Sequence, residues 1–207
     1  MTSPNPVLLI HGIDDTADLF VTLRPYLEAQ GWQTHALDLH PNNGTAGLDQ
    51  LAQQVAAYVE QTFAPDQVFD LVAFSMGGII SRYYLQRLGG LARVQRFITI
   101  ASPHKGTWTA YLRWNAGAEQ MRPDCAFLQD LNTDVAELLS QVQFTSIWTP
   151  LDAMILPATS SQLAVGKEVR VPVAAHPWMV THPRALEAVA IALSEPITPH
   201  TPTRTYA

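Results

Sequence analysis

Short apolar runs alternate with amphipathic segments along most of this 207-residue chain. We interpret six runs as strands, at Pro6–Ile10, Thr34–Leu39, Phe69–Phe74, Arg96–Ile100, Phe144–Trp148 and Val169–Ala174. Helical spacing of apolar residues marks five further segments, at Leu19–Gln30, Leu48–Phe63, Met76–Leu88, Asp134–Ser140 and Pro183–Leu193. Strands that alternate with helices form a parallel sheet with right-handed crossovers. The pattern therefore predicts an α/β fold: a six-stranded, mainly parallel sheet with helices on both faces.

Two segments lie outside this alternation. Residues 107–133 form a long insertion rich in aromatic and aliphatic side chains, and residues 195–207 are rich in Pro and Thr without periodicity. A hydrophobic content of 47% with 14% charged residues is typical of a globular protein, and 207 residues suffice for one core but not comfortably for two. We therefore expect a single domain over 1–194, with a possible small lid at 107–133 and a tail at 195–207.

Charge and hydropathy exclude several classes of partner. The net charge of −6 argues against nucleic acid and against electrostatic attraction to an anionic membrane. No stretch approaches the ~20 apolar residues of a membrane span. The amino terminus lacks a basic segment, and Val7–Ile10 is too short for a signal peptide core. Cys125 is the single cysteine, so no intrachain disulfide can form. We expect a cytoplasmic protein.

The histidines and glycines do not indicate a bound cofactor. His35, His40 and His104 form no H-x-x-x-H spacing and have no Cys pair beside them, so His104 is better interpreted as bracing a loop. Gly77-Gly78 is not followed by Lys-Ser or Lys-Thr, and no G-x-G-x-x-G occurs. We expect neither a metal nor a nucleotide nor another cofactor.

Ser75 lies where a predicted buried strand passes directly into a helix. Residues 73–77 read Ala-Phe-Ser-Met-Gly, with an apolar run before them and helical spacing after them. Small residues at 73 and 77 allow the strand and helix to approach closely, so the serine is held at the carboxyl edge of the sheet. This is the nucleophile elbow, with Ala in place of the first Gly of G-x-S-x-G. It indicates acyl chemistry at Ser75.

A serine hydroxyl needs a base, and the base needs an orienting carboxylate. In the elbow architecture these follow in the order Ser, Asp, His, each after a strand end. Asp152 is the only carboxylate in the loop after the fifth predicted strand, and His176 follows the sixth. His182 competes for the role of base, but it precedes Pro183 and so suits the N-cap of the last helix. We predict the set Ser75, His176 and Asp152.

The first predicted strand ends in His11-Gly12-Ile13. Gly12 lets the chain turn so that the Ile13 N–H faces the site, where the Met76 N–H, directly after the nucleophile, completes an oxyanion hole. We expect the His11 side chain to support the loop and to take no part in proton transfer.

The aromatic insertion allows two interpretations. Its side chains either wall an acyl pocket or form a lid above Ser75, or they cover one edge of the core. The residues concerned are Trp108, Tyr111, Trp114 and Met121. Trp178 and Met179, just after His176, are likewise either pocket rim or helix-packing residues.

These motifs together resemble those of the small bacterial lipases and esterases of the α/β-hydrolase superfamily. Residues 6–12 resemble the opening strand and oxyanion loop of that family, 73–78 its A-x-S-M-G-G elbow, and 101–107 its T-P-H-x-G-T loop, with Ser102 where Thr is commoner. The likeness extends from Pro6 to about Leu193. It implies a minimal α/β-hydrolase fold that starts at the oxyanion strand and a metal-free hydrolase of carboxylic esters, such as acylglycerols or other lipid esters.

Two rival functions use the same fold. An acyl-thioesterase or acyltransferase would employ the same three residues with a different donor or acceptor. A non-catalytic binding protein would be expected to lack one of the three, whereas this chain carries a candidate for each. The acyl chain length, the natural substrate and the oligomeric state do not follow from these motifs.

Overall fold

Six strands form the central sheet of the protein, whose computed structural model describes residues 4–197. The strands are Val7–Ile10 (β1), Thr34–Leu37 (β2), Phe69–Phe74 (β3), Val94–Ile100 (β4), Gln143–Trp148 (β5) and Lys167–Arg170 (β6). Their order across the sheet is β2-β1-β3-β4-β5-β6, and every neighbouring pair is parallel. The predicted fold class is confirmed. Residues 198–207 of the predicted tail lie outside the described residues.

Helices cover both faces of this sheet. They are Leu23–Glu28 (α1), Leu48–Thr62 (α2), Met76–Arg87 (α3), Ala116–Glu119 (α4), Ala126–Thr133 (α5), Val135–Leu139 (α6) and Pro183–Ser194 (α7). Alternate residues of β3 point to opposite faces: Leu71 and Ala73 pack with α2 and α3, whereas Val72 and Phe74 pack with α1 and α7. Both faces are apolar because the central strands are buried on both sides. Within residues 4–197, no helix has the length and hydrophobicity needed to cross a bilayer.

The strand order reverses direction between β1 and β3. The chain places β2 on one side of β1 and then crosses to place β3 on the other side. In open α/β sheets, ligands bind outside the carboxyl ends of the strands at such a reversal. The loop after β1 and the junction at Ser75 both lie at this point.

Most element boundaries lie within two residues of the prediction, and two elements differ from it by more. Proline explains both larger differences. β6 ends at Arg170 and does not continue to Ala174, because Pro172 has no N–H to donate to the sheet. The helix predicted over 19–30 divides into a 3₁₀ turn at Ala17–Phe20 and the helix α1. Pro25 causes this break, because its ring would clash with the carbonyl group four residues earlier in a continuous helix.

The insertion folds over the carboxyl edge of the sheet. It begins with a 3₁₀ turn at Trp108–Leu112 and continues through α4 and α5. Hydrogen bonds attach it to loops of the sheet edge: the Gly117 N–H donates to the Gly44 carbonyl at 2.8 Å, and the Arg113 guanidinium pairs with Asp14. The insertion therefore covers the edge of the sheet where the strand order reverses, between β1 and β3.

Candidate active site

Ser75 occupies a strained turn between β3 and α3. Its backbone has φ +53° and ψ −124°, a conformation unfavourable for a residue with a side chain. The Ser75 N–H donates to the Ile100 carbonyl at 2.9 Å, which fixes the turn to β4. A Cβ on Gly77 would lie 2.5 Å from the His11 carbonyl oxygen, so only glycine allows α3 to start this close to β1. The turn projects the Ser75 hydroxyl above the sheet edge.

The predicted base reaches this hydroxyl, and the predicted carboxylate reaches the base. His176 Nε2 lies 3.0 Å from Ser75 Oγ, and His176 Nδ1 lies 2.7 Å from Asp152 Oδ2. Because a carboxylate only accepts, the Nδ1–H donates to Asp152, which leaves Nε2 free to accept the proton of the serine hydroxyl. All three side chains are buried. The structure thus brings together three residues that are 24 to 101 positions apart in the chain.

Asp152 is held by the backbone that follows it. Its Oδ1 accepts from the N–H groups of Met154 at 2.8 Å and Ile155 at 2.9 Å, while Oδ2 faces the imidazole. Both carboxylate oxygens are therefore occupied, which fixes the orientation of the imidazole through charge-assisted hydrogen bonds. The Phe74 ring packs at 4.7 Å from that of His176 and limits its tilt.

His182 does not lie in this arrangement. Its side chain accepts from the Arg184 N–H at 3.3 Å and caps α7, in agreement with the N-cap interpretation. The His11 imidazole donates from Nδ1 to the Gly12 carbonyl at 2.8 Å and accepts at Nε2 from the Leu39 N–H at 2.9 Å. It supports the loop after β1, as predicted.

The two predicted oxyanion donors belong to residues that adjoin Ser75 or line the cavity above it. Met76 opens α3, so its N–H is unused by the helix and lies at the positive end of the helix dipole. Ile13 follows the tight turn at Gly12 and lines the cavity above the serine. Within residues 4–197, neither N–H donates to a protein acceptor. Both N–H groups are therefore uncommitted within the described residues, and their role as an oxyanion hole stays a prediction.

A cavity of about 350 Å³ opens above Ser75. Its walls are mostly apolar and come from the loop after β1, the insertion and the loop after Asp152. The lining residues are Ile13, Ser75, Pro103, Thr107, Thr109, Ala110, Leu112, Arg113, Ala118, Met121, Met154 and Ile155. Such a lining suits an extended apolar group.

Of the predicted pocket residues, only Met121 lines this cavity. Trp108, Tyr111 and Trp114 point to the solvent, so their assignment to the pocket wall is wrong. Residues 108–112 form a 3₁₀ turn, in which positions three apart share a side. Trp108 and Tyr111 therefore stack on the outer side, at 5.6 Å between ring centroids, while Ala110 faces inwards.

The two residues after His176 are also outside the pocket. Met179 is fully buried in the core beneath α7, and Trp178 is exposed. Residues 176–180 form another 3₁₀ turn, which puts Met179 on the buried side with His176. Met154 and Ile155 were missed as pocket residues; their position directly after the predicted Asp152 was the available signal.

A second carboxylate lies close to the serine. A Cβ on Gly12 would be 3.0 Å from Asp15 Oδ2 and 3.1 Å from Ser75 Cβ, so these two side chains flank the same backbone position. Burial raises the pKa of Asp15, and the nearby imidazoles of His11 and His176 act in the opposite direction. Asp15 thus contributes negative charge beside the candidate site, a feature that the sequence motifs did not indicate.

His104 lies beneath the site and not in it. It is fully buried, and its Nε2 lies 3.0 Å from Thr99 Oγ1. Burial lowers the pKa of His104 well below its ordinary value, and the charges of Arg82 and Lys105 act in the same direction. Its position agrees with the loop-bracing interpretation. Among residues 4–197, no three His, Cys, Asp or Glu side chains converge in a way that could hold a metal ion.

Comparison with known proteins places this geometry in context. The sequence model of the palmitoyl protein thioesterase family matches residues 6–120, more than half of the chain. That region includes the loop after β1, the junction at Ser75 and part of the insertion.

Several solved structures share the fold. The mature lipase of Bacillus licheniformis matches with a TM-score of 0.76 at 15% identity, over 93% of each chain. Lipase B of Aspergillus fumigatus has a TM-score of 0.80 at 20% identity, over 97% of this chain and 55% of the fungal one. An extracellular α/β-hydrolase from a Paenibacillus species has a TM-score of 0.63 at 16% identity, over 91% and 98%. The fold is that of the α/β hydrolases.

Proposed function

We propose that this chain, which belongs to the palmitoyl protein thioesterase family, is a serine hydrolase that cleaves carboxylic esters of lipids. One observation carries this proposal. Asp152, His176 and Ser75 form a continuous chain of hydrogen bonds at the base of an apolar cavity. The base is therefore within hydrogen-bond distance of both its orienting group and the nucleophile.

The reaction proceeds in two halves. Ser75 Oγ attacks the carbonyl carbon of the ester while His176 Nε2 takes the hydroxyl proton, and the oxyanion is stabilised by the N–H groups of Ile13 and Met76. Asp152 holds the imidazole and stabilises its positive charge. The bond to the alcohol then breaks as His176 gives it the proton. Water attacks the acyl-enzyme by the same route and releases the acid.

An acyl thioester is the second candidate substrate, and the family match favours it. The same steps apply, with a thiol as the leaving group. A direct comparison separates the two: one palmitoyl group presented as an oxyester and as a thioester at equal concentration. A kcat/KM at least tenfold higher for the oxyester would support the ester proposal, and the reverse ratio would support the thioesterase. An added alcohol acceptor that diverts the product to a new ester would indicate an acyltransferase.

Replacement of Ser75 by Ala tests the assignment of the nucleophile. We expect turnover of a p-nitrophenyl ester to fall by about 10⁴-fold or more, and labelling by a fluorophosphonate to disappear. His182→Ala provides the matched control, because that histidine only caps α7. Unchanged turnover in the Ser75 variant would exclude the mechanism, and absence of both turnover and labelling in the unmodified protein would favour a non-catalytic binding protein.

The cytoplasmic location stays a prediction.

A further inference from the structure

Large exposed apolar side chains cluster around the mouth of the cavity. Of the eleven found within residues 4–197, six belong to the insertion or to the loop after Asp152. We call these six the mouth patch: Trp108, Tyr111, Leu112, Trp114, Met154 and Leu156. Exposed apolar groups scattered singly need no explanation, but a contiguous set marks an interaction site.

Contacts join the members of the mouth patch. Trp108 stacks on Tyr111, and the Arg122 guanidinium lies 5.0 Å from the Tyr111 ring and 5.4 Å from the Trp114 ring. The Trp108 N–H donates to the Leu156 carbonyl at 2.9 Å, which attaches the 3₁₀ turn to the loop after Asp152. The patch is therefore a fixed surface built from two segments.

The mouth patch is continuous with the cavity. Leu112 and Met154 are exposed members of the patch and also line the cavity that leads to Ser75. Whatever covers the patch can therefore pass an apolar chain to the serine without exposing that chain to water. A lipid surface has this property, and the amphipathic rings of Trp and Tyr suit the boundary between headgroups and acyl chains.

Charge at the patch indicates which lipid surface fits. Arg113 pairs with Asp14, and Arg122 lies 3.7 Å from Glu119, so both guanidiniums near the patch have carboxylate partners within the protein. The whole chain carries a net charge of −6. These two guanidiniums are therefore already paired, and the chain as a whole would repel anionic headgroups.

From these observations we propose that the mouth patch docks on an electrically neutral lipid surface and delivers an acyl chain from it to Ser75. This inference rests on the proposed function. It specifies the physical form of the substrate, a lipid that remains in its layer.

Vesicle binding tests the docking without turnover. The full chain carrying Ser75→Ala is floated with phosphatidylcholine vesicles, and the same variant carrying Trp108→Ser and Trp114→Ser is compared with it. Neither tryptophan lines the cavity. We expect the partition to fall by about tenfold for each large side chain withdrawn from the lipid. Ile191→Ser, at an exposed apolar residue of α7 outside the mouth patch, provides the control and should leave the partition unchanged.

Three results would overturn the inference. They are a partition that the two tryptophan substitutions do not lower, binding that requires anionic lipid, and a concentration-dependent dimer that the substitutions abolish in the absence of vesicles. With Ser75 restored, the double tryptophan variant should hydrolyse a soluble p-nitrophenyl ester at the normal rate and lose activity on vesicle-borne ester. If the unmodified protein did not hydrolyse the soluble p-nitrophenyl ester, that result would instead count against the proposed function alone.

Discussion

At the scale of single residues, the two glycines after Met76 determine how closely α3 can approach the sheet. A Cβ on Gly77 would lie 2.5 Å from one backbone oxygen and 2.6 Å from a second, and a Cβ on Gly78 would lie 2.1 Å from Ser102 Oγ. The atoms that a Cβ on Gly77 would meet are backbone carbonyl oxygens of Ile10 and His11, which cannot rotate away as a side chain can. The start of α3 can therefore accommodate a methyl group only by moving, and Ser75 moves with it.

Gly77→Ala is accordingly expected to destabilise the protein by about 1–3 kcal/mol and to lower turnover by a larger factor than KM changes. The displaced Ser75 Oγ would no longer lie within hydrogen-bond distance of His176. Urea unfolding and ester kinetics measure the two effects. Ser81→Ala, on the same helix, removes a buried hydroxyl that has no hydrogen-bond partner within residues 4–197 and should leave both unchanged. Full activity in Gly77→Ala would contradict the close-approach argument.

Asp15 provides a pH-dependent effect at the same scale. Its carboxylate lies beside Ser75, burial raises its pKa, and it adds negative charge to the site only while it is ionised. Asp15→Asn removes this titrating charge, so the acidic limb of the pH–rate profile should move, because protonation of Asp15 no longer contributes to it. Asp18→Asn, exposed and farther along the chain, is the control. A limb that stays in place would exclude electrostatic coupling between Asp15 and the base.

At the scale of secondary-structure elements, Arg82 connects α3 to the insertion. The guanidinium is fully buried and donates to the carbonyl groups of His104 at 3.2 Å and Leu131 at 2.7 Å. It also donates to Asn132 Oδ1 at 2.9 Å. Burial lowers the pKa of Arg82 to about 9, so the group remains charged at neutral pH. Its contacts set the height of α5 above the sheet.

Replacement of Arg82 by Met would remove a hydrogen bond from each of these buried acceptors, and the Leu131 carbonyl would keep only the bond from Gln86 Nε2 at 2.8 Å. We expect a loss of about 2–4 kcal/mol in the free energy of unfolding. We also expect a higher KM, because the insertion that covers the cavity would shift. Arg87→Met is the matched control: Arg87 also joins α3 to α5 and α6, through Asp130 and Asp134, but at the surface. Its loss should cost about 1 kcal/mol or less. Equal losses for the two variants would contradict the special role of the buried group.

The elements also illustrate which features were predictable from sequence. Periodicity located all six strands, and position after a strand end selected Ser75, Asp152 and His176, which the structure brings together. Strand ends carry this information because parallel strands present their carboxyl ends at one edge. The direction of the insertion's side chains was not predictable. Apolar residues in a short segment fit α and 3₁₀ turns equally well, and the two differ in which residues face the cavity.

At the scale of the whole molecule, stability should depend on pH through His104. The folded protein keeps this histidine neutral, because burial lowers its pKa well below the ordinary value of 6.5. The unfolded chain binds a proton there as the pH falls through 6.5, whereas the folded chain does not. By linkage, stability is present above that pH and is lost below it, at up to about 1.4 kcal/mol per pH unit.

His104→Gln removes the titrating group while its side-chain amide can still reach Thr99 Oγ1. Urea unfolding between pH 7 and pH 5 should therefore show a shallower loss of stability in this variant than in the unmodified protein, even if its stability at pH 7 is lower. His40→Gln, at an exposed position, should retain the original slope. If His104→Gln and the unmodified protein lost stability in parallel, the acid sensitivity would come from other groups. The carboxylates among them would then have to lose native partners as they protonate. Asp70 would not be one of them, because burial raises the pKa of this carboxyl group in the folded protein, and its protonation therefore does not lower stability as the pH falls.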